Sequence, residues 1–87
     1  MANVIMYSTV FCPFCMRAKA LLKRKGVDFE VIDVMFDPAK RAEMTERSGG
    51  GRTVPQIFIG GEPIGGFDEL YDLDREGRLD DMLGIAA

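Results

Sequence analysis

The sequence predicts an α/β fold, a four-stranded mixed sheet flanked by helices in the order β-α-β-α-β-β-α. Three observations lead there. A short apolar run stands at 4–7, and segments that read as strands stand at 29–34 and 56–59. Between them lie segments with apolar residues at helical spacing, opened by proline and closed by glycine. A length of 87 residues holds one compact domain, 1–87, and not two.

Each element follows from its residues. Val4-Ile5-Met6-Tyr7 is a continuous apolar run, as suits a strand buried on both faces. A helix is expected from about Pro13 to Lys25, with Phe14, Ala18, Leu21 and Leu22 as its apolar stripe. Pro13 suits the first helical position, where its missing N–H costs nothing. Lys23, Arg24 and Lys25 complement the dipole in the last turn, and Gly26 closes it as a left-handed cap. Phe29 to Val34 is the second strand. Strand, helix and strand make a βαβ unit, so these two strands are expected to be parallel.

Asp37 as N-cap and Pro38 at the first position start a second helix, which runs to about Ser48. Its thin apolar pattern (Ala39, Ala42, Met44) predicts a partly exposed helix. Gln56 to Ile59 is the third strand, Gly60-Gly61 a two-residue hairpin turn, and Glu62-Pro63-Ile64 its partner. Pro63 cannot donate to a ladder, so that partner is an edge strand. A third helix is expected from about Phe67 to Glu76, burying Leu70, Tyr71 and Leu73, with Gly77 as cap. Leu79 to Leu83 reads as a short helical turn.

Composition removes several chemistries. With no histidine, Ser-His-Asp hydrolysis, Cys-His proteolysis and His-ligated metal catalysis are excluded, and Cys12 and Cys15 are the strong nucleophiles. A net charge of −3 argues against nucleic acid as a partner. No run approaches the ~20 apolar residues of a membrane helix, and Met1 to Tyr7 lacks the basic start of a signal peptide. Two cysteines are too few to staple a small secreted fold, so the expected location is the reducing cytoplasm. The basic block at 17–25 and the acidic block at 62–81 are expected to be mostly solvated helix faces.

Cys12-Pro13-Phe14-Cys15 falls where a strand's end meets a helix's start, the setting of a thioredoxin-like redox pair. A three-residue offset puts both sulfurs on one helical face, within reach of a disulfide. Cys12 at the N-cap faces the unpaired N–H groups of the first turn, which stabilise a thiolate more than a thiol. Cys15 points toward the core and is expected to stay a thiol until needed. Structural zinc would need four soft ligands, and the chain supplies two. A structural disulfide would close too short a loop to add much stability. Two core cysteines would leave Cys12 unexplained at a helix start. The redox pair is the reading that fits.

The chain resembles a dithiol glutaredoxin, close to the bacterial glutaredoxin 3 group. The likeness runs from Val4 to Leu83. Its carriers are the Cys12–Cys15 motif, Ala18-Lys19-Ala20-Leu21-Leu22, Arg47-Ser48-Gly49, Thr53-Val54-Pro55-Gln56-Ile57-Phe58-Ile59 and Ile64-Gly65-Gly66-Phe67-Asp68-Glu69-Leu70. The resemblance implies a thioredoxin-like fold and a glutathione-dependent thiol–disulfide oxidoreductase. Cys12 and Cys15 would be catalytic. Glutathione would be a co-substrate, with no bound cofactor and no metal. Phe14, Thr53, Val54, Pro55, Gly66, Phe67 and Asp68 would form its site. Pro55 would be cis, and the Val54 backbone would pair with glutathione like an added strand. Helix-start N–H groups at Gly66 and Phe67 would take a carboxylate, and Asp68 an amine.

The resemblance also implies partners: disulfide-bonded or glutathionylated proteins, and glutathione reductase indirectly, through glutathione. The protein would be a monomer. The chain departs from many relatives at three places. Phe14 stands where tyrosine is common, Phe67 where some have a further cysteine, and Ser8, Thr9 and Val10 where a basic residue is common. The second glutathione carboxylate must then find another cation, and Arg41 and Arg52 are candidates, or else ordinary surface charges. Two other functions fit the residues less well. A donor served by a reductase flavoprotein fits the Gly66-Phe67-Asp68 segment poorly. An iron–sulfur scaffold is disfavoured by Pro13, which stiffens the turn after the first cysteine.

Overall fold

A computed structural model describes residues 2–85. The sheet order is β2-β1-β3-β4. Strand β1 (Val4–Ser8) pairs in parallel with β2 (Glu30–Asp33) and antiparallel with β3 (Gln56–Ile59), and β3 pairs antiparallel with β4 (Glu62–Gly65). The two central strands are the two most apolar runs. All four residues of β3 are buried, and so are four of the five in β1, the strand whose apolar run predicted burial on both faces. Gly60 and Gly61 take φ of +59° and +84°, the positive pair that a tight hairpin turn demands. Pro63 sits on edge strand β4, and a register shift lies opposite it at Ile57/Phe58.

Helices α1 (Pro13–Arg24), α3 (Phe67–Arg75) and α4 (Leu79–Leu83) cover one face, and α2 (Pro38–Arg47) covers the other. The first face carries the larger core: Val4, Met6, Ile57 and Ile59 of the sheet meet Ala18, Leu21, Leu22, Leu70, Leu79 and Leu83. Each fully buried Leu contributes roughly 1.5–3 kcal/mol over exposure. The second face is thinner, with Tyr7, Val34 and Phe58 under Met44. Met44 is the buried residue of α2, as its weak apolar pattern predicted.

A polar clamp supplements that thin face. The buried Tyr7 hydroxyl donates to Glu43 Oε2 at 2.6 Å and accepts from Arg47 Nη1 at 2.6 Å. The Arg47 guanidinium also lies 5.0 Å from the Phe58 ring centre. Burial, then the Glu43 contact, pushes the Tyr7 hydroxyl above its ordinary range. On the opposite side, Lys25 at the end of α1 bridges Asp74 of α3 at 2.6 Å and Asp80 of α4 at 2.9 Å.

The structure corrects two core assignments. Phe14 is 50% exposed and Tyr71 is 46% exposed. Both lie at helical spacing with buried leucines, but on the flank of the stripe. There they join Phe67 in a row, with ring centres 6.4 Å (Phe14–Phe67) and 5.8 Å (Phe67–Tyr71) apart. Element ends moved by one residue in places. Helix α1 stops at Arg24 with Lys25 as C-cap, and Gly26 follows at φ +73°.

Candidate active site

The local sequence places Cys12 at the N-cap of α1. Its backbone is extended (φ −136°, ψ 103°), and Pro13 opens the first turn behind it. The Cys12 sulfur accepts the Cys15 N–H at 3.1 Å, so a thiol occupies the position that Ser or Asp takes in an ordinary cap. That donor stabilises negative charge on the sulfur. Cys12 is 8% exposed and Cys15 fully buried. Burial, then the hydrogen bond to Cys12, pushes the Cys15 thiol up to about 11. The two sulfurs thus differ in setting: the Cys12 sulfur caps a helix start and keeps slight exposure, and the Cys15 sulfur lies fully buried beneath it.

A groove of about 350 Å³ opens beside the pair. It is lined by Phe14, Thr53, Val54, Pro55, Gly66, Phe67, Asp68 and Glu69. The Cys12 thiol lies 3.8 Å from the Val54 carbonyl, which links the sulfur to that lining. The Val54–Pro55 bond is cis. Three stretches far apart in sequence meet here: the first turn of α1, the segment leading into β3 and the start of α3. All seven residues singled out around the groove from sequence are among its lining.

Arg41 and Arg52 are not part of that described lining. Arg41 Nη1 instead donates to the Arg52 carbonyl at 3.3 Å. Sequence reasoning missed two residues. Glu69 lines the groove, and its Oε1 accepts the Gly66 N–H at 2.7 Å. Its place three residues after the cap was a readable capping signal. Gln56 donates from Nε2 to the Thr53 carbonyl at 3.0 Å. Nothing in its strand pattern marked that contact. No group of three or more metal-ligating side chains occurs among the described residues. No helix among them is long and apolar enough to cross a membrane.

A sheet of this order, with a Cys-x-x-Cys pair on the first helix and a cis-proline segment beside it, defines a dithiol oxidoreductase of thioredoxin-like fold. Comparisons with known proteins narrow the class. Residues 4–64 match the family model described as Glutaredoxin. The chain is 54% identical over 83 residues to Glutaredoxin 3 of Escherichia coli K12, covering 95% of this chain and 99% of that one. A buckwheat glutaredoxin in complex with glutathione superposes with a TM-score of 0.87 at 33% identity, covering 98% of this chain and 83% of the other. A Brucella melitensis glutaredoxin in solution gives 0.81 at 52% identity, covering 100% and 96%. The chain belongs to the glutaredoxin family. It is a glutathione-dependent thiol–disulfide oxidoreductase.

Proposed function

We propose that this protein reduces glutathione mixed disulfides and protein disulfides through the Cys12-Pro13-Phe14-Cys15 pair. The observation that carries this is the Cys12 sulfur at a helix N-cap beside a groove of about 350 Å³. In the first reaction, Cys12 thiolate attacks the glutathione sulfur of a mixed disulfide. The S–S bond breaks, its electron pair leaves on the protein sulfur, and a Cys12–glutathione disulfide forms. A second glutathione thiolate attacks that glutathione sulfur. Oxidised glutathione leaves and Cys12 thiolate returns.

For a protein disulfide, Cys12 attacks first and Cys15 resolves the mixed disulfide, giving a Cys12–Cys15 bond that two glutathiones reduce. The order of events suits the electrostatics. Cys15 is held as a thiol partly by the neighbouring Cys12 sulfur. Once Cys12 is bonded to substrate its charge is gone, and Cys15 gives up its proton more readily.

Glutathione would lie extended in the groove, pairing with the Val54 backbone between Phe14, Thr53, Pro55 and Phe67. Glu69 already takes the Gly66 N–H, so the γ-glutamyl carboxylate falls to the Phe67 and Asp68 N–H groups. The Asp68 carboxylate pairs with the ammonium. Arg52, next to Thr53, and Arg41, which holds its carbonyl, are the cations at the other end. The protein acts as a monomer in a reducing cytoplasm, where glutathione reductase renews the glutathione.

The test is a coupled assay with glutathione, glutathione reductase and NADPH. Glutathione alone is expected to reduce the oxidised protein, and NADPH consumption to follow a glutathionylated peptide. A protein that glutathione fails to reduce, and that a flavoprotein disulfide reductase reduces directly in the absence of glutathione, would overturn this function.

A further inference from the structure

Gln56 is buried, 7% exposed, on the α2 face of a central strand, opposite Tyr7. Its neighbour on that face, Phe58, is the apolar residue expected there. A buried amide is retained where it is hydrogen-bonded, and this one reaches back to the Thr53 carbonyl at 3.0 Å. It is the last of three anchors on successive residues. Ser48 Oγ accepts the Gly51 N–H at 2.9 Å, Arg41 donates to the Arg52 carbonyl at 3.3 Å, and Gln56 takes Thr53. The run ends at Val54, whose carbonyl faces Cys12.

Planarity gives the third anchor its meaning. The Thr53 C=O and the Val54 N–H belong to one peptide plane, and in a trans unit they point in opposite directions. Tying the oxygen down on the α2 side therefore aims the Val54 N–H the other way. We infer that Gln56 is a positioning residue: its amide orients the Thr53–Val54 peptide so that the Val54 N–H faces the groove and can pair with the backbone of glutathione. This deepens the function proposed above and rests on it. Gln56 touches neither sulfur, so it acts on binding and not on the nucleophile. Gly51 makes room for it. A Cβ there would stand 2.7 Å from Gln56 Nε2 and 2.7 Å from Ser48 Oγ.

Two variants reach the same peptide from different sides. Gln56→Met keeps the length and burial but removes the donor. Gly51→Ala leaves Gln56 in place and displaces its amide. Calorimetric titration with unreactive S-methylglutathione and the KM for a glutathionylated peptide are the readouts, with iodoacetamide alkylation of Cys12 as control. Both variants are expected to weaken the Kd and raise KM by about 3- to 10-fold, a hydrogen bond's worth. Both should hold kcat and the alkylation rate within about two-fold. In Gln56→Met, adding Gly51→Ala should add little. An unchanged Kd in both variants overturns the inference. So does an alkylation rate that falls in step with the Kd, which marks general loss of the site. A wild-type chain that binds S-methylglutathione but never turns over the peptide refutes the proposed function alone, and the Kd ratio still decides the role of Gln56.

Discussion

Two helix starts face one groove, and they are capped in opposite ways. At α1 the cap is the Cys12 sulfur, which takes the Cys15 N–H at 3.1 Å. At α3 the cap is a carboxylate from within the helix, Glu69 on the Gly66 N–H at 2.7 Å. In the proposed function the first cap is also the reacting atom, so the fold and the chemistry share one group. In the same proposal the second cap leaves reaction to others and fixes a binding edge. A helix start thus serves catalysis when its cap is a nucleophile, and recognition when its cap is a spectator.

The contrast breaks most completely at Cys12. Cys12→Ser keeps an oxygen to accept the Cys15 N–H, so thermal melting should match wild type. Activity with a glutathionylated peptide should fall roughly 10³-fold or more. A large drop in melting temperature would mean that sulfur matters to the fold beyond its role as an acceptor. Cys15→Ser separates the two reactions. Turnover of the mixed disulfide should persist within about three-fold, while reduction of a protein disulfide drops by roughly ten-fold or more. Equal losses in both assays would contradict the assigned order of the two sulfurs.

At α3 the expected effects are smaller. Asp68→Asn should raise KM for the glutathionylated peptide by about 3- to 10-fold with kcat held, as befits one charged contact. A fall in kcat alone would move Asp68 from binding to chemistry. Glu69→Ala should lower stability by about 1 kcal/mol, a melting shift of roughly 4–8 °C for a chain of this size, with Cys12 alkylation unchanged. The effect of pH emerges only in alkali, well above neutrality. Cys15 is raised to about 11 in the fold. The unfolded chain loses this proton near 8.5 and the folded chain does not, so the unfolded state binds fewer protons above that point. Stability should be level below about 8.5 and decline toward about 11, and Cys15→Ser should flatten that limb in urea titrations.

Much of this was legible in the residues because several signals agreed. In α1, Pro13, the stripe of Ala18, Leu21 and Leu22, and Gly26 all marked one helix, and Cys12 fell at its start by position alone. The hairpin was equally plain from Gly60-Gly61 and Pro63. Phe14 and Tyr71 were misread because helical spacing reports a face, and a face can line a groove as well as a core. Only the packing of α1 against α3 decides between the two. The groove joins three distant stretches, and local pattern cannot bring Val54 to Cys12; the family resemblance did. Gln56 stayed hidden for another reason. A glutamine opening a strand next to proline looks like surface until the strand proves central, and its purpose lies in a carbonyl three residues earlier.

Helices α1 and α3 both begin at the groove, where Phe14 and Phe67 stack, and both end at Lys25, which holds Asp74. They therefore run side by side in the same sense. Their dipoles add instead of cancelling, with roughly half a positive charge at each start and half a negative charge at each end. The positive pole of this helix pair lies at the groove. Lys25 sits at the other pole, its ammonium kept charged by Asp74 and Asp80. One lysine at the far end of the fold thus ties together the closing turns of two parallel helices whose positive ends, in the proposed function, are turned toward a sulfur and its substrate.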